Sequence, residues 1–224
     1  MNLLNNFVFV VPARSGSKRV KNKNIKLLKG KPLILYTLDI LKKLTKPENV
    51  FVSTDSTKIL KLSKKYKFNF VKRPKKLSTD YSKTEDAIIN LIKDKKLDTK
   101  FRWCVILQPT SPFRTLKVVK NILKYFLKYN KRFDSLITLT ETKEDYWCYK
   151  NSIIKRKLPN EPRNQKLRKP QFFENGYFYI FTIKKFLNTK KIFSNKTSGY
   201  LTSKIESLDI NTLEDFYIAE KLKS

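Results

Sequence analysis

The run Phe7 to Val11, FVFVV, constrains the fold of this chain more than any other segment. An unbroken stretch of β-branched and aromatic residues ended by Pro12 suits a central parallel strand covered on both faces; a half-exposed strand would alternate with polar residues. Such a strand needs helices on both sides, and the following sequence supplies them. Pro32 is positioned to be a first helical residue, with Leu35, Leu38, Leu41 and Leu44 at helical spacing. Val50 to Ser53 reads as a strand, followed by Asp55 or Ser56 as a helix cap, with Asp55 the favoured reading of Thr54-Asp55, ahead of Ile59, Leu60 and Leu62. Phe68 to Val71 is the next strand, and Ser82 with Glu85 has the spacing of a capping box before Ile88, Ile89 and Ile92. Trp103 to Leu107 is a further strand, and Thr115 caps a helix carrying Val118, Val119, Ile122, Leu123 and Phe126. This repetition predicts an α/β layered fold with a mostly parallel sheet.

Phe133 to Leu139 reads as another strand, after which residues 143–170 turn polar and aromatic, the pattern of an insertion or small hairpin inside a single domain spanning 1–224. Phe172 to Phe181 returns as a strand interrupted at Asn175-Gly176. Lys204 to Ile210 then leads into a last helix from about Thr212 to Leu222, which Asn211 with Glu214 could cap.

Composition removes whole classes of chemistry. The chain has no histidine, so a Ser/His/Asp triad, a histidine base and histidine-ligated metal are excluded. Any metal must rest on oxygen, which favours magnesium or manganese held by carboxylates and substrate phosphates. Cys104 and Cys148 form neither a disulfide framework nor a zinc cluster, and no apolar run reaches membrane-span length, so a cytoplasmic protein without membrane insertion is expected. The formal charge of +31 raises the alternative of a basic nucleic-acid-binding protein. The 41 lysines read as scattered over every helix, and no nucleic-acid-binding motif is present, so no nucleic-acid partner is expected. A continuous basic stripe away from the strand ends would mark that alternative; a cationic pocket at those ends would mark an enzyme.

In open parallel sheets, ligands bind beyond the carboxyl ends of the strands. The polar clusters Arg14 to Asn24, Thr54-Asp55, Gln108 to Arg114 and Asp209 to Asn211 are therefore expected to converge on one edge. The first follows the central strand directly. Its Ser15, Gly16 and Ser17 let backbone amides approach phosphate oxygens, while Arg14, Lys18, Arg19, Lys21 and Lys23 offset their charge. The spacing matches neither GxxxxGK[ST] nor GxGxxG. Gln108, Thr110 and Ser111 offer an amide and hydroxyls to a polar ligand, and Arg114 could pair with a carboxylate. Asn175-Gly176 could bring backbone close to a ligand.

PARSGSK followed by KN, STD at Ser53 to Asp55, RP at Arg73-Pro74, LQPTSPFR at Leu107 to Arg114, NG at Asn175-Gly176 and SLDI at Ser207 to Ile210 occur in this order over nearly the whole chain. Together they resemble the N-acylneuraminate cytidylyltransferase family. The resemblance implies a Rossmann-like nucleotidyltransferase fold with a small dimerisation excursion, of the EC 2.7.7 class. It further implies that CMP passes from CTP to the anomeric hydroxyl of an acidic nine-carbon 2-keto sugar such as N-acetylneuraminate, legionaminate or pseudaminate, with a 3-deoxy-octulosonate as the nearest alternative acceptor. By match to these motifs Arg14, Lys23 and Asp209 would be catalytic, and Arg14, Ser15, Gly16, Lys18, Lys23, Asn24 and Arg73 would bind nucleotide. Gln108, Thr110, Ser111 and Asn175 would bind the sugar. Asp209 would hold Mg2+ or Mn2+, with Asn211 standing where a common form of the motif has a second aspartate and Asp215 the nearest other carboxylate. Phe173 occupies a position where relatives often carry an arginine, which leaves Arg163 or Arg168 for the sugar carboxylate. The aromatic Tyr146, Trp147 and Tyr149 would belong to a homodimer interface.

Overall fold

A computed structural model describes residues 4–223. β1 (Phe7–Pro12) is buried throughout Phe7 to Val11, and after the long polar loop a small ladder of β2 (Leu27–Leu28) and β3 (Lys31–Pro32) turns the chain into α1 (Leu33–Leu44). The alternation continues through β4 (Val50–Thr54), α2 (Thr57–Lys65), β5 (Asn69–Lys72), α3 (Thr84–Asp94), β6 (Trp103–Ile106) and α4 (Leu116–Tyr129). The second half holds β7 (Ser135–Thr142), a hairpin of β8 (Trp147–Lys150) and β9 (Ile153–Arg156), then β10 (Gln171–Thr182), α5 (Ile183–Thr189), β11 (Thr197–Leu201) and α6 (Leu213–Leu222).

The main sheet has seven strands in the order β11-β7-β10-β6-β1-β4-β5, and every pairing is parallel except the two made by β10. From β1 the chain first builds outward through β4 and β5, then crosses back to lay β6 on the other side. The switch point, where a crevice opens beyond the strand ends, therefore lies between β1 and β6.

Period-two alternation divides the core into two layers. Phe7, Phe9 and Val11 pack with Ile34, Leu38, Ile59, Ile122 and Phe126, so α1, α2 and α4 cover one face. Val8 and Val10 pack with Ile88, Leu91, Ile92, Ile183 and Phe186, so α3 and α5 cover the other. At about 1.5–3 kcal/mol for each large side chain fully withdrawn from water, these layers dominate the stabilisation and fix the register of β1. A third cluster joins Val20 of the first loop to Leu28, Leu33, Ile210, Phe216 and Ala219. It pins the middle of the polar loop against the start of α6, and so sets the geometry of the site.

Several local expectations are corrected. Pro32 precedes α1 as an extended residue instead of starting it. Ser56, not Asp55, caps α2 by accepting from the Ile59 amide at 3.4 Å. The Ser82–Glu85 capping box does not form, because the Ser82 hydroxyl donates to Lys76 O at 3.1 Å and accepts from the Thr79 amide. At α6 the box is made by Thr212 with Asp215, not by Asn211 with Glu214. Residues 143–170 do form a hairpin, whose Asn151 and Ser152 adopt φ of 49° and 62°, the left-handed pair that a tight hairpin turn uses.

Candidate active site

The loop after β1 is braced from both sides. Ala13 N donates to Ser53 O at 2.9 Å, extending the β1–β4 ladder by one bond. Asp55 accepts from the Ser15 amide at 2.6 Å and from its hydroxyl at 2.5 Å. Ser15 is thus a brace, and neither of these donors is left for a phosphate, contrary to its expected role. At the far end Asn24 Nδ2 donates to Arg14 O at 3.0 Å, closing the loop on its own start. Asn22 enters the turn at φ 55°, a conformation asparagine tolerates better than most residues.

The four polar clusters converge. A cavity of about 490 Å³ beyond β1 and β6 is lined by Arg14, Lys18, Lys23, Asn24, Arg73 and Asn211, with Gly16, Gln108 and Thr110 also on its wall. Lys23 Nζ donates to Ile210 O at 2.6 Å and to Asn211 Oδ1 at 3.3 Å. Ile210 N in turn donates to Thr110 O at 2.9 Å, so the Gln108 and Asp209 loops are held together by backbone. Arg73 is buried at the ends of β4 and β5, with Nε to Ser53 Oγ at 3.2 Å and Nη2 to Ser53 O at 3.3 Å.

Burial and like charge work against these cations. Desolvation, reinforced by Arg19 and Arg14, lowers the Lys23 pKa below the ordinary lysine value despite the opposing pull of Asp209. Desolvation likewise brings Arg73 down to about 10. Among the described residues, four of the five buried side-chain atoms without a hydrogen-bond partner belong to this region: Asn24 Oδ1, Thr110 Oγ1, Ser111 Oγ and Asp209 Oδ1. Orphaned polar atoms and undercompensated cations in and around one cleft are features of a site built to receive a polar, anionic ligand.

Other expected residues have structural tasks. Asn175 is buried where β10 bulges between Glu174 and Tyr179. Its Oδ1 accepts from Thr138 Oγ1 at 2.7 Å and from the Tyr177 amide at 3.2 Å, while Nδ2 donates to Thr140 Oγ1 at 2.8 Å and Thr202 Oγ1 at 2.7 Å. With both ends of its amide used, Asn175 holds the bulge instead of a substrate. Arg114 is also internal, donating to Tyr177 O at 2.6 Å and Thr37 Oγ1 at 2.8 Å, with no carboxylate partner among the described residues. Arg168 is consumed inside the insertion by Pro162 O, Lys143 O, Arg163 O and Asp145. Asp215 Oδ2 accepts from the Asn211 and Thr212 amides at 2.8 Å, which makes it the capping-box acid and not a second metal ligand.

The cytidylyltransferase family profile matches residues 8–223. The chain belongs to that family. It is a nucleotidyltransferase. The CMP-N,N'-diacetyllegionaminic acid synthase of Legionella pneumophila is 32% identical over 95% of this cytidylyltransferase and 94% of its own length. The pseudaminic acid cytidylyltransferase of Campylobacter jejuni is 29% identical over 95% and 94% of the two chains. The N-acylneuraminate cytidylyltransferase of Streptococcus agalactiae is 28% identical over 93% of this chain, which spans only 51% of that relative. Among solved structures, a CMP:2-keto-3-deoxy-manno-octonic acid synthetase complexed with CTP superposes with a TM-score of 0.70 at 14% identity, covering 96% of this chain and 97% of that one, a likeness of fold. That likeness bears out the α/β layered architecture read from the sequence and the Rossmann-like fold that the resemblance implied.

Sequence reasoning missed Asp80. In this cytidylyltransferase it lies between β5 and α3, pairs with Arg14 Nη1 at 2.8 Å and Lys18 Nζ at 3.2 Å, and is held below the usual carboxylate pKa first by its hydrogen bond to Arg14 and then by Lys18. Nothing in the local pattern STDYSK distinguishes it from a surface turn; only the tertiary approach of this segment to the loop does. Two of the loop's cations are thus occupied by a carboxylate, which a triphosphate would have to displace to bind them. Asp80→Ala is therefore expected to tighten CTP binding by roughly twofold to fivefold, the modest range of a half-exposed pair, in calorimetric titration. Weaker binding would instead make Asp80 an organiser of the loop.

Proposed function

We propose that this cytidylyltransferase transfers CMP from CTP to the anomeric hydroxyl of an acidic nine-carbon 2-keto sugar of the neuraminate, legionaminate or pseudaminate type. The observation that carries the reading is the junction at Gln108. The cationic cleft meets a second cavity of about 210 Å³ there, lined by Glu85, Glu174, Tyr179, Ile192 and Phe193, and Gln108 and Thr84 border both. The first suits a triphosphate. The second offers carboxylates and a phenol to sugar hydroxyls and amide N–H groups, with an apolar wall for an acyl methyl. Gly176, at φ 72°, a backbone conformation that favours glycine, passes beside the Gln108 amide at the junction. The activities named for the Legionella, Campylobacter and Streptococcus relatives support the same acceptor class.

In this reading the anomeric oxygen bonds to the α-phosphorus as the bond from that phosphorus to the bridging oxygen of pyrophosphate breaks, and the hydroxyl proton is released. Such a displacement needs in-line placement and charge stabilisation more than covalent help. Gln108 would orient the sugar, Thr110 would bind beside it, and Arg14, Lys18 and Lys23 would take the charge of the leaving pyrophosphate. Ser111, whose buried hydroxyl has no hydrogen-bond partner among the described residues, would also serve the sugar. Arg73 and Asn24 would line the nucleotide pocket. Arg163 is left as the candidate for the sugar carboxylate.

Asp209 Oδ1, buried and unpartnered, with the neighbouring Asn211 Oδ1, fits a hard cation completed by phosphate oxygens. Among the described residues there is no cluster of three carboxylate or cysteine side chains that would hold a metal without substrate. Magnesium or manganese bound there would supply charge neutralisation to the triphosphate.

The exposed Tyr146, Trp147, Tyr149, Ile153 and Ile154 of the β8–β9 hairpin support a homodimer formed through the insertion. No helix among the described residues is long and apolar enough to cross a membrane, and work on CTP supports a cytoplasmic location. Pyrophosphate release, measured with CTP, magnesium and a panel of 2-keto sugar acids, is expected with at least one nine-carbon acid. Turnover only with 3-deoxy-octulosonate, or with none of the panel, would overturn the reading.

A further inference from the structure

Every helix carries at least one lysine, but the lysines are unevenly distributed among them. The layer formed by α2, α1 and α4 on one sheet face is almost purely cationic on its solvent side. On α2, Lys58, Lys61, Lys64 and Lys65 are exposed and the helix has no acid. On α4, Lys117, Lys120, Lys124 and Lys128 recur at three- and four-residue spacing along the exposed side, again without an acid. α1 adds the exposed Lys42 and Lys43, and its one carboxylate, Asp39, is already occupied by Lys31 and Tyr66. None of these ten lysines has a carboxylate within 4.0 Å among the described residues. Of the other helices, α3 carries Glu85, Asp86 and Asp94 against Lys93, α6 carries Glu214, Asp215 and Glu220 against Lys221, and the short α5 has Lys184 and Lys185, of which Lys185 pairs with Asp134. The two helices that carry four lysines each and no acid, α2 and α4, are therefore both on this face.

We propose that this three-helix face is an electrostatic docking surface for an anionic phospholipid bilayer. Three observations choose that partner. The face is a broad layer of helices over a sheet, suited to a planar array of charge. Its cations are all lysines, which act as mobile point charges and lack the guanidinium fork that reads phosphates or bases in fixed geometry. Also, none of the large apolar residues exposed elsewhere on the molecule lies on α1, α2 or α4. The face therefore has no exposed aromatic ring on which nucleic-acid bases could stack and no apolar patch for a protein partner. Helices in βα units run back against their strands, so Lys42, Lys43, Lys64, Lys65 and Lys128 lie toward the sheet edge opposite the cleft. A docked molecule keeps its active site open.

Sedimentation with phosphatidylcholine vesicles, with and without phosphatidylglycerol, tests this. Binding is expected only to the anionic vesicles and should weaken steeply as salt rises past about 0.15 M. At roughly fivefold in partition per lysine, combined Lys117→Glu, Lys120→Glu and Lys124→Glu should lower binding by about a hundredfold or more. Lys93→Glu, Lys100→Glu and Lys184→Glu together change the net charge equally and should retain most of it. Unchanged melting temperature and CTP binding in both variants would show intact folds. No preference for anionic vesicles, equal loss in the two variants, or tighter, α4-dependent binding to duplex DNA would overturn the proposal.

Discussion

Lys23→Met is expected to lower kcat/KM for CTP by about a hundredfold to a thousandfold, the range seen when one fixed donor to a developing anion is removed. The ammonium has three donors, and Ile210 O and Asn211 Oδ1 use two, leaving one for phosphate at the cleft wall. The same substitution should not unfold the protein. Because burial lowers the Lys23 pKa, the folded state disfavours the charged form, and at neutral pH that charge costs stability. The sign follows directly: the unliganded wild type gains stability as pH rises from the folded pKa toward the ordinary value of 10.5, and Lys23→Met lacks this gain. CTP affinity should fall over the same window, since phosphate binds the protonated amine. Thermal melts and CTP titrations against pH separate these effects. A variant that loses activity only by losing its fold would refute the assignment.

Most of the fold was legible because it rests on periodicity. Phe7 to Val11, Val50 to Ser53 and Trp103 to Leu107 announce buried strands, and the interleaved apolar spacing announces helices on both faces. Where the reading failed, the side chain found a partner other than the helix end, whether in the adjoining loop or far along the chain. Ser82 had the spacing of a cap but found Lys76 O and the Thr79 amide. Asp55 would have capped a helix, yet both of its oxygens turn to Ser15 forty residues away. β11, with Gly199 and Tyr200 in a polar surround, carries too little apolar pattern to read as a strand, and only its pairing with β7 defines it. The site divides the same way. The loop cations, Gln108 and Asp209 could be named from motifs, because sequence order and strand ends locate them. Asp80, Glu174 and Tyr179 could not, since their approach depends on how the segment after β5 and the β10 bulge pack.

Asp209→Asn should lower kcat by at least about a hundredfold with little change in melting temperature. The substitution keeps the size of the side chain and an acceptor for Asn211 Nδ2, which lies 2.6 Å from Asp209 Oδ2 in the wild type. It removes the charge. Asp209 is the largest influence raising the Lys23 pKa, so the variant should also bring Lys23 lower still and move the pH limit of CTP affinity downward. The two consequences are separable in a divalent-cation titration. If Asp209 supplies a metal ligand, the magnesium concentration for half-maximal activity should rise at least about tenfold, because a neutral amide oxygen replaces the one carboxylate of the site. Asn211→Asp should move that midpoint the other way by adding a second carboxylate beside the cleft. If both variants share the wild-type midpoint and differ only in pH profile, Asp209 acts through Lys23 alone. The charge pair spanning the cleft, not metal ligation, would then be its contribution to the reaction.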